Sequence, residues 1–416
     1  YQTTKDSSTE VDLTMIDKIE AKDDTTVEFK LKRPMSTFIE KLGACGIVPK
    51  HAYDDAFKDN PIGSGPYKFV DWAKGQQVIA EANEDYYGDK PSIKKLTMVF
   101  LETDAAYAAV KSGDVDMATI NGDLAKEKVE GTEILDIPSI ETYGVEFPMV
   151  ANTGKKTESG NEIGNNVTSD EAIRKALNTA VDRQGMVDGV LNGYGTVSTT
   201  GLEKMPWLNE ETVLDESKYN DVDAAKKILE DGGWKDSDND GILEKDGTKA
   251  SFKLLYTAGN YRQAMGLEFQ KVAKELGIEV TLEERTWDTI LEDIHREAVL
   301  FGFGSGDPSE LYNLYYGGAA NTPVEWDNAG FYDNKTVNKY IDKALESENE
   351  EEALPYWQKA QWDGKTGASA IGDAPYCWLV NANHVYIVSE GFDIGNPVVQ
   401  PHGGRIFDNV TEWSWK

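Results

Sequence analysis

Positive charge is scarce in this 416-residue chain: 42 Lys and Arg face 74 Asp and Glu, for a formal net charge of −32. Phosphate backbones are bound by basic faces, so this balance argues against a nucleic-acid partner. It also argues against a surface held on anionic lipid by basic residues. Cysteine is almost missing. Cys45 lies in LGACGIV and Cys377 in APYCWLV, both apolar settings. Such residues are commonly buried free thiols. A disulfide between them stays open, because spacing does not reveal connectivity. With no Cys cluster and only four His (His51, His295, His384 and His402), a closed structural zinc site is not expected. Pro numbers 14, and there is no low-complexity tract. No stretch approaches the roughly 18 apolar residues of a membrane span. Residues 1–12, YQTTKDSSTEVD, have neither a basic stretch nor an apolar run and do not open on Met. No signal peptide is read there, and a mature or trimmed product is expected.

Catalytic signatures are missing too. There is no G-x-S-x-G elbow, no H-E-x-x-H and no phosphate-binding G-x-x-x-x-G-K-[ST]. The G-x-G pairs at Gly63–Gly65 and Gly302–Gly304 do not continue as a dinucleotide fingerprint. A glycosidase needs only two carboxylates, so an acid-pair hydrolase stays open as a reading from another class.

What is present is the patterning of a soluble α/β protein. Apolar residues make up 39% and charged residues 28%, and the length suggests two or three domains at roughly 100–200 residues each. TVEFKLK (26–32) alternates as a half-buried strand, and PMSTFIEKL follows as a helix. PIGSGPYKFVDW (61–72) is a turn entering a strand, with QVIAEAN as its antiparallel neighbour. IKKLTMVF (93–100), DAAYAAVKSG (104–113, capped by Asp104 and stopped by Gly113) and DVDMATI (114–120) read as strand, helix and strand. That order predicts a crossover with parallel pairing. The Gly- and Asn-rich stretch 153–168 is the expected boundary. Thr168 and Glu171 then form a capping box ahead of Ile173, Ala176, Leu177, Ala180 and Val181 at helical spacing. Further on, 251–257, 261–276, 278–284, TWDTILEDIHRE and 298–303 give β-α-β-α-β. The expected lobes are 1–150, part of lobe one, and 151–395, lobe two. An aromatic, strand-like segment, 396–416, returns to lobe one.

Two constellations suggest ligands. DSDNDGILEKDG (236–247) places Asp236, Asp238, Asp240, the Ile242 carbonyl and Glu244 at the spacing of an EF-hand loop, with Gly241 at the sharp turn. Alternating oxygen ligands suit Ca²⁺. Position 12 is Gly247 rather than Glu, and the flanks are not two helices, so an Asp- and Gly-rich hairpin is the plainer expectation. A structural Ca²⁺ is therefore optional, and no cofactor is required. The second constellation is aromatic. FGFGSGDPSELYNLYY (301–316) follows the C-terminal end of a strand, where open α/β sheets bind ligands. PYCWLVNANHVY (375–386) adds Trp378 and Asn381. Rings, amides and one carboxylate suit an extended polar ligand with a cationic group. The backbone of 302–305 is expected to pair with that ligand. Asp307 would be its charge partner, and Tyr143, Trp287, Phe303 and Trp378 its walls, beside Gly304, Ser305 and Asn381.

These motifs resemble those of the extracellular solute-binding proteins of peptide- and nickel-type ABC transporters, the oligopeptide- and dipeptide-binding family. PIGSGPYKFVDWAKGQQVIAEANEDYYGDKPSIKKLTMVF is similar to the family's G-[TS]-G-P-Y, strand, N-x-D-Y-[WY]-G-x-K-P stretch. SGDVDMA, DEAIRKALNTAVDRQGMVDGVLNGYG and GWKDSDNDGILEKDG follow in family order. The resemblance implies a two-lobed periplasmic-binding-protein-like α/β fold (type II, peptide-binding class) with mixed sheets and a hinge. It implies a monomeric, non-enzymatic component of an ABC importer that closes on a peptide and delivers it to a membrane permease. The location would be extracytoplasmic, as a cell-surface lipoprotein or in a periplasm. The family has a longer amino-terminal part, so the first strand of lobe one and a small subdomain are expected to be missing. Peptide binders of the family often carry D-Y-x-[DE]-P, whose first acid holds the peptide α-amino group. Gly304-Ser305-Gly306-Asp307-Pro308 stands here instead, which raises a nickel chelate or metallophore as the alternative cargo.

Overall fold

The computed structural model describes residues 13, 15–43, 45–259, 261–320 and 325–416; the amino-terminal stretch 1–12 lies outside them. The chain divides into two compact units. The first holds the described part of Tyr1–Ala44 together with Ile140–Val190 and Gly195–Asn381, and the second holds Cys45–Ser139, Leu191–Tyr194 and Ala382–Lys416.

The first unit is built on one mixed sheet. Its strands are β1 (Thr142–Glu146), β2 (Gly195–Val197), β3 (Ser251–Tyr256), β4 (Glu279–Glu284), β5 (Ala298–Phe303) and β6 (Tyr376–Ala382), in the spatial order β4-β3-β5-β1-β6-β2. β3 runs parallel to β4 and β5, while β1 is antiparallel to both β5 and β6. Every residue of β6 is buried, as expected for a strand covered on both faces. Its helices include α1 (Glu171–Ala180), α2 (Val222–Asp231), α3 (Arg262–Glu275), α4 (Trp287–Leu291), α5 (Glu310–Tyr315), α6 (Lys335–Leu345) and α7 (Glu350–Gln361). The helical spacing read in α1 is its core face: Ile173, Ala176, Leu177, Ala180 and Val181 are fully buried. Burying an aliphatic side chain of the size of Ile or Leu contributes about 1.5–3 kcal/mol. Met265, Phe269 and Leu276 do the same along α3, and Gly277 ends it at φ +77.

The second unit has two three-stranded sheets. Tyr67–Ala73, Gln77–Ala82 and Lys95–Val99 form an antiparallel meander. His384–Ser389 lies between Met117–Ile120 and Thr132–Ile137, antiparallel to both. Helix Thr103–Ser112 sends Tyr107 and Val110 into a core with Ala118, Ile120, Val385 and Ile387.

Four expectations need correction. The helix at 103–112 does not join parallel strands, because Lys95–Val99 and Met117–Ile120 belong to different sheets. The cap of α1 is Asp170, whose carboxylate accepts from Ala172 N–H at 2.9 Å. Thr168 instead donates its hydroxyl to the Pro148 carbonyl at 2.8 Å. Helix in 286–297 stops at Leu291. The unit boundaries also depart from 150/151 and 395/396. β1 sits in the middle of the first unit's sheet and carries Ile140–Val150 with it. The segment 13–43 joins the same unit through Ser36, whose hydroxyl donates to Ala344 O at 2.8 Å, and through the Arg33–Glu346 ion pair at 2.7 Å. Residues 396–416 cluster with the unit holding 45–139, as part of a segment that begins at Ala382. Its longest regular element is a 3₁₀ stretch, Ile406–Glu412, followed by a short strand, Ser414–Trp415. Cys377 is buried and Cys45 half-buried, and among the described residues no disulfide joins them.

Candidate functional site

The parallel strands β3, β4 and β5 end together at Tyr256, Glu284 and Phe303. That is the edge at which open α/β sheets hold ligands. The β3–β5 register finishes at Leu255–Val299, so Leu300–Phe303 runs on beyond it while β1 covers the other side, Gly302 facing Tyr143 and Phe303 facing Thr142.

Side chains alternate along a strand. On one face of β5, Phe301 stacks on Trp287 at 5.3 Å between ring centroids, and Phe303 follows at 5.3 Å. Trp287, the first residue of α4, is 45% exposed. Phe303 in turn meets Tyr376 and Trp378 edge-on at 5.9 and 5.8 Å. The result is one continuous aromatic ladder, dry at Trp378 and open at Trp287.

Not every expected wall is a wall. Trp378 is a core residue, stacked on Tyr376 at 4.7 Å with nearly parallel planes and only 3% exposed. Its ring fits because Gly144 and Gly201 lack side chains; a Cβ on either would come within 2.6 or 2.7 Å of the indole. Tyr143 is buried, its hydroxyl donating to Glu141 Oε1 at 2.5 Å. Asn381 is buried, its amide donating to the Thr142 hydroxyl, while its Oδ1 has no partner among the described residues.

The 302–305 backbone is partly occupied by the chain itself. Glu310 accepts from the N–H groups of Gly304 and Ser305, both at 3.2 Å. Gly304 does permit a close backbone approach, but the backbone that approaches is Ile140, whose carbonyl oxygen would lie 2.5 Å from a Cβ there. Asp307 accepts from Ser309 N–H at 2.8 Å, ordering the turn into α5. It also lies close enough to Glu40 to help raise the pKa of that carboxyl, after burial and the contact with Glu350. Asp307 thus adds to a negative patch, which suits a cation.

One residue at this edge was not expected. Arg262 opens α3, and its guanidinium carbon lies 5.4 Å from the centroid of the Tyr143 ring. Its position, the first helical residue after a parallel strand, is the signal that could have singled it out.

The Asp-rich loop brings its carboxylates together. Carboxylate oxygens of Asp236, Asp238, Asp240 and Glu244 all lie within 4.8 Å of one another, and Glu244–Lys245 pairs with Thr248–Lys249 as a hairpin. Asn239 and Gly241 take positive φ to make the turn. Lys249 reaches into the cluster, contacting Asp240 and lying 3.4 Å from Asp238 and 4.0 Å from Glu244. The contact lowers the pKa of Asp240 and raises that of Lys249. The donor set fits a hard cation, with the lysine ammonium as its built-in competitor.

Residues 2–323 match the family described as bacterial extracellular solute-binding proteins, family 5 Middle. The chain belongs to that family. Its members are solute-binding proteins rather than enzymes, and membership places the chain outside the cytoplasmic membrane. The fold is the two-lobed, mixed-sheet α/β class of these proteins, and no helix among the described residues is long and apolar enough to cross a membrane. Protein XP55 of Streptomyces lividans is 32% identical over 386 residues, covering 90% of this chain and 66% of that protein. The oligopeptide-binding protein AppA of Bacillus subtilis is 26% identical over 419 residues, covering 96% of this chain and 72% of AppA. The chain therefore spans about two thirds of the length of these relatives. AppA in complex with a nonapeptide superposes with a TM-score of 0.74, covering 97% of this chain and 78% of AppA. NikZ of Campylobacter jejuni, solved with Ni(L-His), superposes with a TM-score of 0.80 at 24% identity, covering 96% and 79%. At that identity the likeness to NikZ concerns the fold.

Proposed function

We propose that the chain is the substrate-binding component of an ABC importer, capturing a peptide intact and delivering it to a membrane permease without catalysing a reaction. It acts as a monomer in this reading. The observation that carries it is the open end of the aromatic ladder. Trp287 presents an exposed ring at the C-terminal ends of β3, β4 and β5, beside the stretch of β5 that runs past its β3 partner. An extended peptide can lay its backbone along such a strand and its side chains on such a ring. The similarity to AppA, whose structure holds a nonapeptide, supports the same cargo class.

The test is native mass spectrometry after incubation with a mixed pool of short peptides and, separately, with nickel and histidine. The expected result is an intact peptide retained on the protein. Cleaved peptides would make it a hydrolase and overturn the reading. Retention of the nickel chelate alone would replace peptide with metal complex as cargo.

The calcium reading of the Asp-rich loop joins this proposal as a structural accessory. Asp236, Asp238, Asp240, the Ile242 carbonyl and Glu244 would hold the ion after Lys249 withdraws.

A further inference from the structure

A cavity of about 320 Å³ opens at the opposite end of the first unit's parallel strands. Helix α2 gives it Leu229, the hairpin that follows gives it Trp234 and Leu243, and the end of α3 gives it Leu276. Leu229, Trp234 and Leu276 are almost fully buried, so the floor is apolar. Leu243 donates its N–H to Gly277 O at 2.9 Å and accepts from Ala250 N–H at 2.7 Å, which fastens the hairpin to the end of α3. Gly277 and Ala250 stand just before β4 and β3, whereas the open end of the aromatic ladder lies where those strands finish. Strands of six residues, rising about 3.3 Å per residue, set the two ends on the order of 17 Å apart.

Two features of this cavity are unfinished. The first is a donor. Trp234 is 3% exposed, and its indole Nε1 has no hydrogen-bond partner among the described residues. A buried indole N–H ordinarily finds one, and leaving it without is costly. The second is charge. Lys226 and Glu230 on α2, with Lys274 and Glu275 on α3, stand at the rim, and none of the four forms an ion pair among the described residues. The same helices do pair their neighbours. Lys227 holds Asp231 at 3.3 Å, at the four-residue spacing that Lys226 and Glu230 share, and Lys271 holds Glu268 at 3.1 Å. Glu275 acts on Lys271 only at longer range. Asp236, also at the rim, is spent on the N–H groups of Asp240 and Gly241 at 3.2 and 3.1 Å. Both helix ends are capped by backbone, Trp234 N–H donating to Leu229 O at 3.0 Å and Gly277 N–H to Lys274 O at 3.1 Å.

We infer that this cavity is a second ligand site, apart from the solute site, and that it takes a zwitterion with an apolar body, the chemistry of a free aliphatic or aromatic amino acid. The ligand carboxylate meets Lys226 and Lys274 and accepts the Trp234 N–H. Its ammonium meets Glu230 and Glu275, and its side chain lies on Leu229, Leu243 and Leu276. Hydrogen bonds with an ionised partner are about twice as strong as neutral ones. A volume of about 320 Å³ falls within the range of small-molecule clefts. Unpaired charges of both signs around one apolar floor favour a ligand that carries both, because a simple anion or cation would face a like charge.

The experiment labels the tryptophan indoles of the whole chain with ¹⁵N and follows their N–H signals by NMR. Trp234→Phe and Trp287→Phe each delete one signal and so identify both. The probes are L-leucine and L-phenylalanine, each compared with its N-acetyl and its amide form, which lack one charge. The expected result is that the free amino acids move the Trp234 signal to saturation and leave the Trp287 signal in place. The blocked forms should need about tenfold more ligand or beyond. Lys226→Met combined with Lys274→Met should erase the preference for the free acid over the amide. Glu230→Gln combined with Glu275→Gln should erase the preference for the free amine over the N-acetyl form. All four side chains are exposed, so these variants keep the fold, and thermal unfolding checks it. Should Trp234→Phe fail to fold, calorimetry on the lysine and glutamate variants reads the same ratios. A Trp234 signal that stays still up to about 10 mM amino acid overturns the inference. Equal responses to free and blocked forms overturn it, as do ratios unchanged in the variants. Movement of the Trp287 signal alone puts the amino acid at the solute site and overturns it as well. The importer reading stands in each of these outcomes, because peptide capture is tested separately.

Discussion

Trp378 and Gly144 face each other across the β6–β1 pair, with the indole lying where a side chain on residue 144 would have to be. The bulky residue of β6 is admitted only because its cross-strand neighbour is the smallest one.

Gly144→Ala should therefore cost stability through overpacking, by about 1–3 kcal/mol. Trp378→Ala should cost about 3–5 kcal/mol through the cavity it leaves. Urea unfolding followed by tryptophan fluorescence and circular dichroism measures both. A Gly144→Ala protein as stable as wild type would mean that the indole can move aside.

Trp287 is expected to behave in the opposite way. It stands at the exposed end of the ladder, so Trp287→Ala should change thermal stability little. It should weaken binding of a retained peptide by about tenfold, near 1.4 kcal/mol. Calorimetry with the peptide recovered from native mass spectrometry checks it. Unchanged affinity would move the ligand away from this edge of the sheet.

Glu146 supplies a pH dependence. Burial pushes its carboxyl up to about 8, opposed by the Gly330 N–H donated to Oε1 at 2.8 Å, with Tyr376 and Asp327 as its titratable neighbours. The ordinary value is 4.5. Between those two pH values the folded protein keeps a proton that the unfolded chain has lost, so stability falls as pH rises through the window. Burial raises Asp327 to about 6, and it acts with the same sign over a lower range. Glu146→Gln removes the larger contribution. The loss of unfolding free energy from about pH 5 to about pH 8, measured by urea unfolding, should be smaller in Glu146→Gln than in wild type, by on the order of a few kcal/mol. Parallel curves would show that Glu146 is ionised when folded.

The Asp-rich loop predicts a competition. Calcium must displace the Lys249 ammonium from Asp238, Asp240 and Glu244. Millimolar CaCl₂ should raise the unfolding temperature of wild type. Lys249→Met should show the same rise at lower calcium, and Asp240→Asn should abolish it. No calcium response in either wild type or Lys249→Met would leave the cluster as a lysine-neutralised hairpin.

Local pattern determined much of this protein. The helical periodicity of Ile173 to Val181, the β-α-β-α-β order of 251–303 and the loop at 236–247 follow from residues close in sequence, and the structure keeps them. The family motifs of 61–100 and 170–195 are equally local. Tertiary structure alone decided which unit each piece joins. Nothing between 93 and 120 reveals that its two strands belong to different sheets, because strand pairing is settled by partners as distant as His384–Ser389. The same holds at the site. Aromatic residues that look alike in sequence divide into a buried Trp378 and an exposed Trp287, because burial depends on which glycines and rings the fold brings alongside. Arg262 was legible only as one charge among many. Its place over the Tyr143 ring is a property of three-dimensional distance, which no run of residues encodes by itself.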